Sequence, residues 1–410
     1  MRGVFVSPAR VVFLEDDGWR RLWPLTATRP VYDLRFGAWR LFEKTLAYFG
    51  SSSPAAWSPP ARHAVTQAFR ARVLSGAAGG PTVWWNGAAR PSGATVALDA
   101  KTPALLRTAG GRVAGVWDPG GTLAAEHARE LLAPGTTAPA GFTDREVEVL
   151  WIDHLWNLLD GLEEEIARDL HAHPRHTSAS TPGGVWVLGN DLRLHETAHL
   201  DPGCVLDTRD GPIVVDDGAR IESMTHLVGP AYVGPGTQLL GGRIFHASFG
   251  PECRVGGEVE AAIFQGFANK RHQGFLGHAV VGAWVNLGAM TSNSDLKNNY
   301  GGVRVWENGA EVDSGASKVG CFLGDHVKTG IGTLLTTGAV VGPGSNLFAG
   351  GRVTPRFLPG WSWWDGGAPQ LHEWSRFLET ARMATSRRGV ELTPDLEAAL
   401  LEAHAQGPRA

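Results

Sequence analysis

The sequence predicts an α/β domain, then a parallel β-helix built from six-residue turns, then a helical tail. Three observations carry this reading. An apolar residue recurs every six positions across much of the span from Leu188 to Val353. Glycine fills 54 of 410 positions, well above the usual usage of about 7%, yet without the every-third-residue order of collagen. Residues 1 to about 150 mix short strand-like runs with amphipathic stretches instead.

The front half is punctuated by turn residues. Arg10-Val-Val-Phe-Leu14 reads as a strand ending in the turn Glu15-Asp16-Asp17-Gly18. Pro30 through Phe49 reads as one helix, because Leu34, Ala38, Leu41, Phe42, Thr45 and Phe49 recur at three and four. Thr82-Val-Trp-Trp85 before Asn86-Gly87, and Gly115-Val-Trp117 before Asp118-Pro119, read as further strands. Gly121 through Leu132 reads as a helix. Residues 144–172 keep a helical face through Val147, Leu150, Leu155, Leu158, Leu159, Leu162 and Ile166, with Glu163-Glu-Glu165 as its solvated side. Pro174 through Gly184, rich in Thr, Ser and Pro, reads as a linker.

The second half carries the strongest periodicity. Steps of six from Val215 meet Ile221, Leu227, Val233, Leu239, Phe245, Pro251, Gly257, Ile263, Asn269, Phe275, Val281 and Leu287. The phase returns at Leu323, Thr329, Leu335, Val341, Leu347 and Val353, and an earlier block holds Leu188, Leu194, Leu200 and Leu206, broken near Asp207–Pro212. Gly follows the periodic position at 234, 282, 288, 324, 330 and 342. A helix would recur at 3.6 and a simple strand at 2. A period of six fits a triangular prism in which three hexads make one coil and the recurring residue points inward; a Gly-rich β-sandwich is the competing arrangement. The interval from Thr291 to Phe322 breaks the phase and reads as a loop expelled from the coil, a place where function often sits. An aromatic strap, Pro355 through Gly367, precedes helices at roughly 369–387 and 393–405, the second opened by Thr393-Pro394. The domains are therefore placed at 1–180, 181–365 and 366–410.

Composition narrows the function classes. Hydrophobic residues are 43% and charged ones 19%, enough for a sizeable core. A net charge of −4 lacks the basic surplus of a nucleic-acid binder. No run of 18 apolar residues is present, so no membrane partner is expected, and Glu15-Asp16-Asp17 cuts short the only early apolar run. Cys204, Cys253 and Cys321 form no CxxC pair and read as reduced thiols of a cytoplasmic protein.

From Glu258 to Ala289 the motifs become specific. Glu258-Val259, Lys270-Arg-His-Gln273, Phe275-Leu-Gly277 and Val285-Asn-Leu-Gly-Ala289 follow one another without a gap between Glu258 and His272. This series resembles the acetyltransferase half of the bifunctional uridyltransferase/acetyltransferase family that makes UDP-N-acetylglucosamine. Asn269 through Gly277, Leu296-Lys-Asn-Asn-Tyr300, Phe357-Leu-Pro-Gly-Trp-Ser-Trp363 and Pro24-Leu-Thr-Ala-Thr-Arg-Pro30 are similar to an atypical branch of it with a shortened nucleotidyltransferase-like front domain. The resemblance implies a reduced Rossmann-like α/β domain, a left-handed β-helix and a homotrimer with acetyl-CoA and a sugar phosphate held between prisms. It is strongest from 255 to 365.

Acetyl transfer to an amino sugar requires that an ammonium lose a proton before it attacks the thioester. A neutral imidazole suits that task, and the resemblance makes His272 the general base. A zinc reading needs converging ligands; His272 and His278, six apart, would meet only across subunits. By the same resemblance Phe275 and Asn286 are sugar contacts, Phe275 where the family has a tyrosine, and the family's Asn-Tyr pair is either displaced to Asn299-Tyr300 or lost. The family's phosphate-facing lysine falls on Glu260, leaving Lys270, Arg271, Lys297 or Arg304 to supply positive charge. Ile331, Ala349 and Arg352 fall at the coenzyme contacts, Arg352 with Arg356 on charge alone. In the front domain Arg21-Leu-Trp-Pro-Leu-Thr26 and Arg29-Pro30 survive, but the family's glycine loop and Pro-Lys lysine do not. Arg21, Thr26, Arg29 and Arg35 are its candidate nucleotide contacts, with Mg²⁺ required only if that domain is active. The leading expectation is acetyl transfer to an amino-sugar 1-phosphate. The alternatives are uridylyl or thymidylyl transfer by the front domain, and a non-catalytic sugar-nucleotide scaffold.

Overall fold

A computed structural model describes residues 7–68, 72–73, 78–172 and 181–406. Most of the expected linker, Pro174 to Gly184, lies outside the described residues.

The front part is a seven-stranded, mostly parallel sheet with helices against it. Arg10–Leu14 sits near its middle, paired in parallel with Pro54–Trp57 on one side and Thr82–Asn86 on the other. Val113–Asp118 and Ala104–Arg107 continue the sheet antiparallel, and Thr143–Glu146 ends it. The helices are α1 (Leu41–Phe49), α2 (His63–Ala68), α3 (Ala125–Leu131) and α4 (Leu162–Ala172).

Two expected helices are shorter than their periodicity suggested. Within Pro30–Phe49 only α1 is helical. Val31–Asp33 is a single 3₁₀ turn, and Arg35–Phe36 and Trp39–Arg40 form a hairpin. The Asp169 carboxylate accepts the amides of Ala38 and Trp39 and so opens the chain there. Within 144–172, Thr143–Glu146 and Glu148–Trp151 are strands, Leu155–Leu158 is a 3₁₀ turn, and α-helix begins only at Leu162. The Glu163–Glu165 run is not wholly solvated. Glu165 is buried against Lys44 (2.5 Å) and Arg90, and Lys44 also reaches Asp169 (2.6 Å). Lone charges could not be buried here, so the two basic and two acidic chains neutralise one another.

The second part is a parallel β-solenoid with three faces. The first face stacks Val205–Asp207, Thr225–Val228, residues 242–245, residues 257–260 and Phe275–Gly277. The second stacks Arg220–Ile221, residues 238–239, residues 254–255, Asn269–Lys270, Asn286–Leu287, Lys328–Thr329 and Asn346–Leu347. The third runs from Leu192–Leu194 through Ile213–Val215, Ala231–Val233, Ser248–Phe249, Ile263–Phe264, Val280–Val281, Cys321–Leu323 and Ala339–Val341 to Phe357–Leu358. Ile221, Leu227, Val233 and Leu239 all point into the prism and are buried, as the six-residue period required.

Beyond Leu239 the inward register departs from strict sixes. Ile244, Phe249, Val255, Val259, Phe264 and Leu276 fill the prism, whereas Ile263 belongs to the cluster under the front part, and Phe245 and Phe275 are only half-buried. The pairing slips between Leu239 and Gly242. Gly242 has φ +114, and a Cβ there would lie 2.0 Å from the Gly257 oxygen, so only glycine closes that corner. Cys204, Cys253 and Cys321 are free thiols inside the prism, and burial raises all three, Cys253 to about 11.

The outward residues of the third face, Val214, Tyr232, Ile263, Val280, Phe322 and Val340, share one core with Trp19, Leu22, Trp23, Leu34 and Ile166 of the front part. Ions reinforce that seam. Asp325 of the solenoid accepts Thr28 Oγ1 (2.7 Å) and Arg29 Nη2 (2.8 Å), and Arg29 also reaches Asp33 (3.2 Å). The expelled segment forms a hairpin, Arg304–Glu307 with Ala310–Asp313, whose buried Val303 and Val305 pack on the front part of the same chain. The tail helices α5 (Trp374–Ser386) and α6 (Pro394–Ala405) pack together on Trp361, with α5 beside the second face. Glu402 on α6 accepts the Ala64 and Val65 amides of α2. Among the described residues no helix is long and apolar enough to cross a membrane.

Candidate functional site

His272 stands at the corner between the second face (Asn269–Lys270) and the first (Phe275–Gly277), with its ring exposed. The corner is held from inside. Lys270 occupies a prism position beside Val255, only 2% exposed, and its Nζ donates to the carbonyls of Gly256 (2.8 Å), His272 (3.4 Å) and Gly274 (2.7 Å). Burial lowers it to about 8, with Glu258 opposing. Lys270 therefore does not face a sugar phosphate, as its spacing suggested; it fixes the backbone that presents His272.

On the first-face side, Glu258 and Glu260 point outward opposite Phe275 and Gly277. The Phe275 ring folds over Gly277, where a Cβ would lie 2.4 Å from it and 2.7 Å from the Asp295 carboxylate. Asp295 accepts His278 Nδ1 at 2.8 Å. Burial opposes its charge, but that hydrogen bond and nearby cations hold its carboxyl below the usual range. Glu260, at the family's lysine position, is met by Lys318 at 3.1 Å. The positive charge at this spot thus comes from the end of the expelled segment, a residue that sequence spacing did not single out. Lys297 bonds the Gly302 carbonyl, Asn299 accepts the Gly301 amide, and Tyr300 is 74% exposed, so these three form an exposed turn.

On the second-face side, a groove of about 840 Å³ runs between the prism and α5. Asn269 Nδ2 donates to Asn286 Oδ1 (2.7 Å), and Arg254, Arg271, Lys328 and Arg387 line the same groove. Burial lowers Lys328 to about 8. Arg254 and Lys328 belong to the site although the sequence reading passed over them. The available signal was that each precedes an inward residue and therefore points outward. Farther along the prism, Ile331, Ala349 and Arg352 meet at one corner, where Gly351 bonds the Gly332 carbonyl and Gly332 bonds that of Ala289. Ile331 is 74% exposed, Ala349 is buried, and Arg352 caps the Gly366 carbonyl.

The front part has its own cavity, about 770 Å³, at the carboxyl end of the strand Arg10–Leu14, the place where open α/β sheets bind ligands. Asp16, Asp17, Arg21, Arg112, Arg129 and Asp153 line it. Asp16 already accepts the Gly18 amide (2.8 Å), and Asp153 holds Arg21 and Arg112 at 2.7 Å. Residues 11–176 match the family model described as sugar nucleotidyl transferase. The front part is therefore similar to sugar nucleotidyl transferases. The chain is similar to the bifunctional sugar-1-phosphate nucleotidylyltransferase/acetyltransferase of Sulfurisphaera tokodaii, 28% identical over 41% of this chain and 42% of that protein. It is also similar to the bifunctional protein GlmU of Bordetella parapertussis (34% identical, 39% of this chain, 33% of the relative) and of Mycobacterium tuberculosis (27%, 58% and 40%). The chain thus matches less than half the length of these relatives.

Only Arg21 of the four nucleotide candidates reaches the cavity of the front part. Thr26 is buried with its hydroxyl on the Trp19 carbonyl, and Arg29 is spent on Asp33 and Asp325. Arg35 is buried, bonds the Ala38 carbonyl and lies over the Tyr232 ring. The Pro24–Pro30 motif in this chain is a docking segment. Arg62 grips its Ala27 and Arg29 carbonyls while Thr28 and Arg29 reach into the solenoid. Among the described residues no group of three His, Cys, Asp or Glu side chains is placed to hold a metal ion.

Proposed function

We propose that the chain transfers acetyl from acetyl-CoA to the amine of an amino-sugar 1-phosphate, with His272 as general base. The observation that carries this reading is the His272 corner. An exposed imidazole sits on backbone pinned by Lys270, between an asparagine-lined basic groove and the Glu260–Lys318 pair. His272 takes the ammonium proton, the freed amine attacks the thioester carbonyl, and the CoA thiolate leaves. Asn286 orients the sugar, while Arg271 and Lys328 offer charge to its phosphate. Ile331, Ala349 and Arg352 form the surface for the coenzyme, reached from a neighbouring copy in a homotrimer. The front part covers the third face of the prism and α5 runs along the second, leaving the first for such copies. Purified protein with glucosamine 1-phosphate and acetyl-CoA should release free thiol. Absence of thiol release, with the same protein folded and trimeric by light scattering, would reject the reading.

A second reading rests on the front cavity, nucleotidyl transfer from UTP or dTTP to a sugar 1-phosphate with Mg²⁺. Arg21, Arg112 and Arg129 supply cations there. Asp16 occupies the Gly18 amide that a phosphate would use, so this activity should be slow, measured as pyrophosphate release.

A further inference from the structure

A cavity of about 460 Å³, within the usual range for a small-molecule site, lies where the front part, the solenoid and the tail meet. Three side chains that line it, each more than nine-tenths buried, carry polar atoms without a hydrogen-bond partner: Arg35 Nε, Gln265 Nε2 and His326 Nδ1. Each such orphan ordinarily costs about 1–3 kcal/mol, and native interiors hold few of them. Three on one cavity wall mark a place where something else completes the bonding. Gln265 is oriented by its Oε1, which accepts the Arg35 amide (2.9 Å), while its buried Nε2 makes no hydrogen bond in the structure.

The remaining walls say what fits. Phe267 and Trp284 stack at 4.3 Å and 16°, and His326 lies nearly parallel to Trp284 at 15°. Burial holds the His326 ring neutral, at about 3. Arg29, Arg35 and Arg40 face Asp33, Glu43 and Asp325, so the formal charges cancel and a phosphate chain finds no surplus cation. Leu392, Leu396 and Leu400 of the tail add apolar surface to its lining. We propose that this cavity binds an uncharged planar heterocycle bearing carbonyl oxygens, which take the Arg35 and Gln265 donors while the ring lies along the aromatic wall. The site is separate from the His272 corner and does not depend on acetyl transfer.

Calorimetric titration of the full chain with uridine and with inosine tests it, since both are neutral and carry ring carbonyls. One site per chain should saturate for at least one of them. Gln265→Glu keeps the acceptor for Arg35 and removes both donors, so it should weaken that binding roughly tenfold or more. Leu392→Trp, which fills the cavity without touching a polar group, should abolish it. UDP should bind this site no more tightly than uridine, and binding of UDP that persists in Leu392→Trp belongs to the front cavity. No saturable heat with either nucleoside, or unchanged binding in both folded variants, would overturn the proposal.

Discussion

Two outer faces of the same prism differ in what they present. The third face turns Val214, Tyr232, Ile263, Val280, Phe322 and Val340 outward, and the front part covers them. The second turns Arg220, Gln238, Arg254, Asn269, Asn286, Lys328 and Asn346 outward at the equivalent positions. Both obey one inward rule, yet one face is a domain interface and the other lines a groove. In a solenoid the inward residue specifies the fold, and the outward residue beside it specifies the use.

The largest effect should come from breaking the covered face. Asp325→Ala takes one carboxylate from Arg29 and removes the acceptor of Thr28, so stability should fall by about 3–5 kcal/mol, the usual result of breaking a buried pair. Urea denaturation checks this; a loss below about 1 kcal/mol would mean that apolar packing alone holds the seam. On the open side, Lys270→Met removes the ammonium donor from three carbonyls and should destabilise by about 1–3 kcal/mol. Because Lys270 acts through the His272 backbone, kcat should drop while KM changes little. An equal fall in folded fraction and activity would make Lys270 merely structural.

Acidity sharpens the same contrast. His326 has a folded value of about 3 against an ordinary 6.5, so the unfolded chain takes up a proton first as pH falls. Its contribution to stability is full above 6.5 and is lost between 6.5 and 3, by about 1.4 kcal/mol per pH unit. His326→Gln should flatten that limb of the stability profile. An unchanged slope between pH 6.5 and 5 would contradict it.

The prism was readable from sequence because its side-chain rule is local. Ile221, Leu227, Val233 and Leu239 needed no partner beyond the next coil. The register after Leu239 was not readable, because the slip at Gly242 depends on Gly257 lying against it one coil on. The hairpin inside Pro30–Phe49 was hidden for a similar reason, since Asp169 holds Ala38 from 131 residues away. His272 and Asn286, singled out by resemblance, both stand exposed on the surface. Lys270, Thr26 and Arg29 were misjudged because a charged or hydroxyl side chain reads as available for ligand, while their carbonyl and carboxylate partners come from distant turns. Lys318 was missed because only the returning loop brings it to Glu260.

The central claim is that the open corner is catalytic while the covered face is structural, and one substitution tests it most directly. His272→Ala should lower kcat for acetyl transfer by roughly 10²–10⁴-fold, the span of a lost general base. Its melting temperature should match the parent, because the ring is exposed and only its backbone is held. The rise of rate with pH should also disappear in the variant. Turnover within threefold of the parent, with the pH limb intact, would contradict the account.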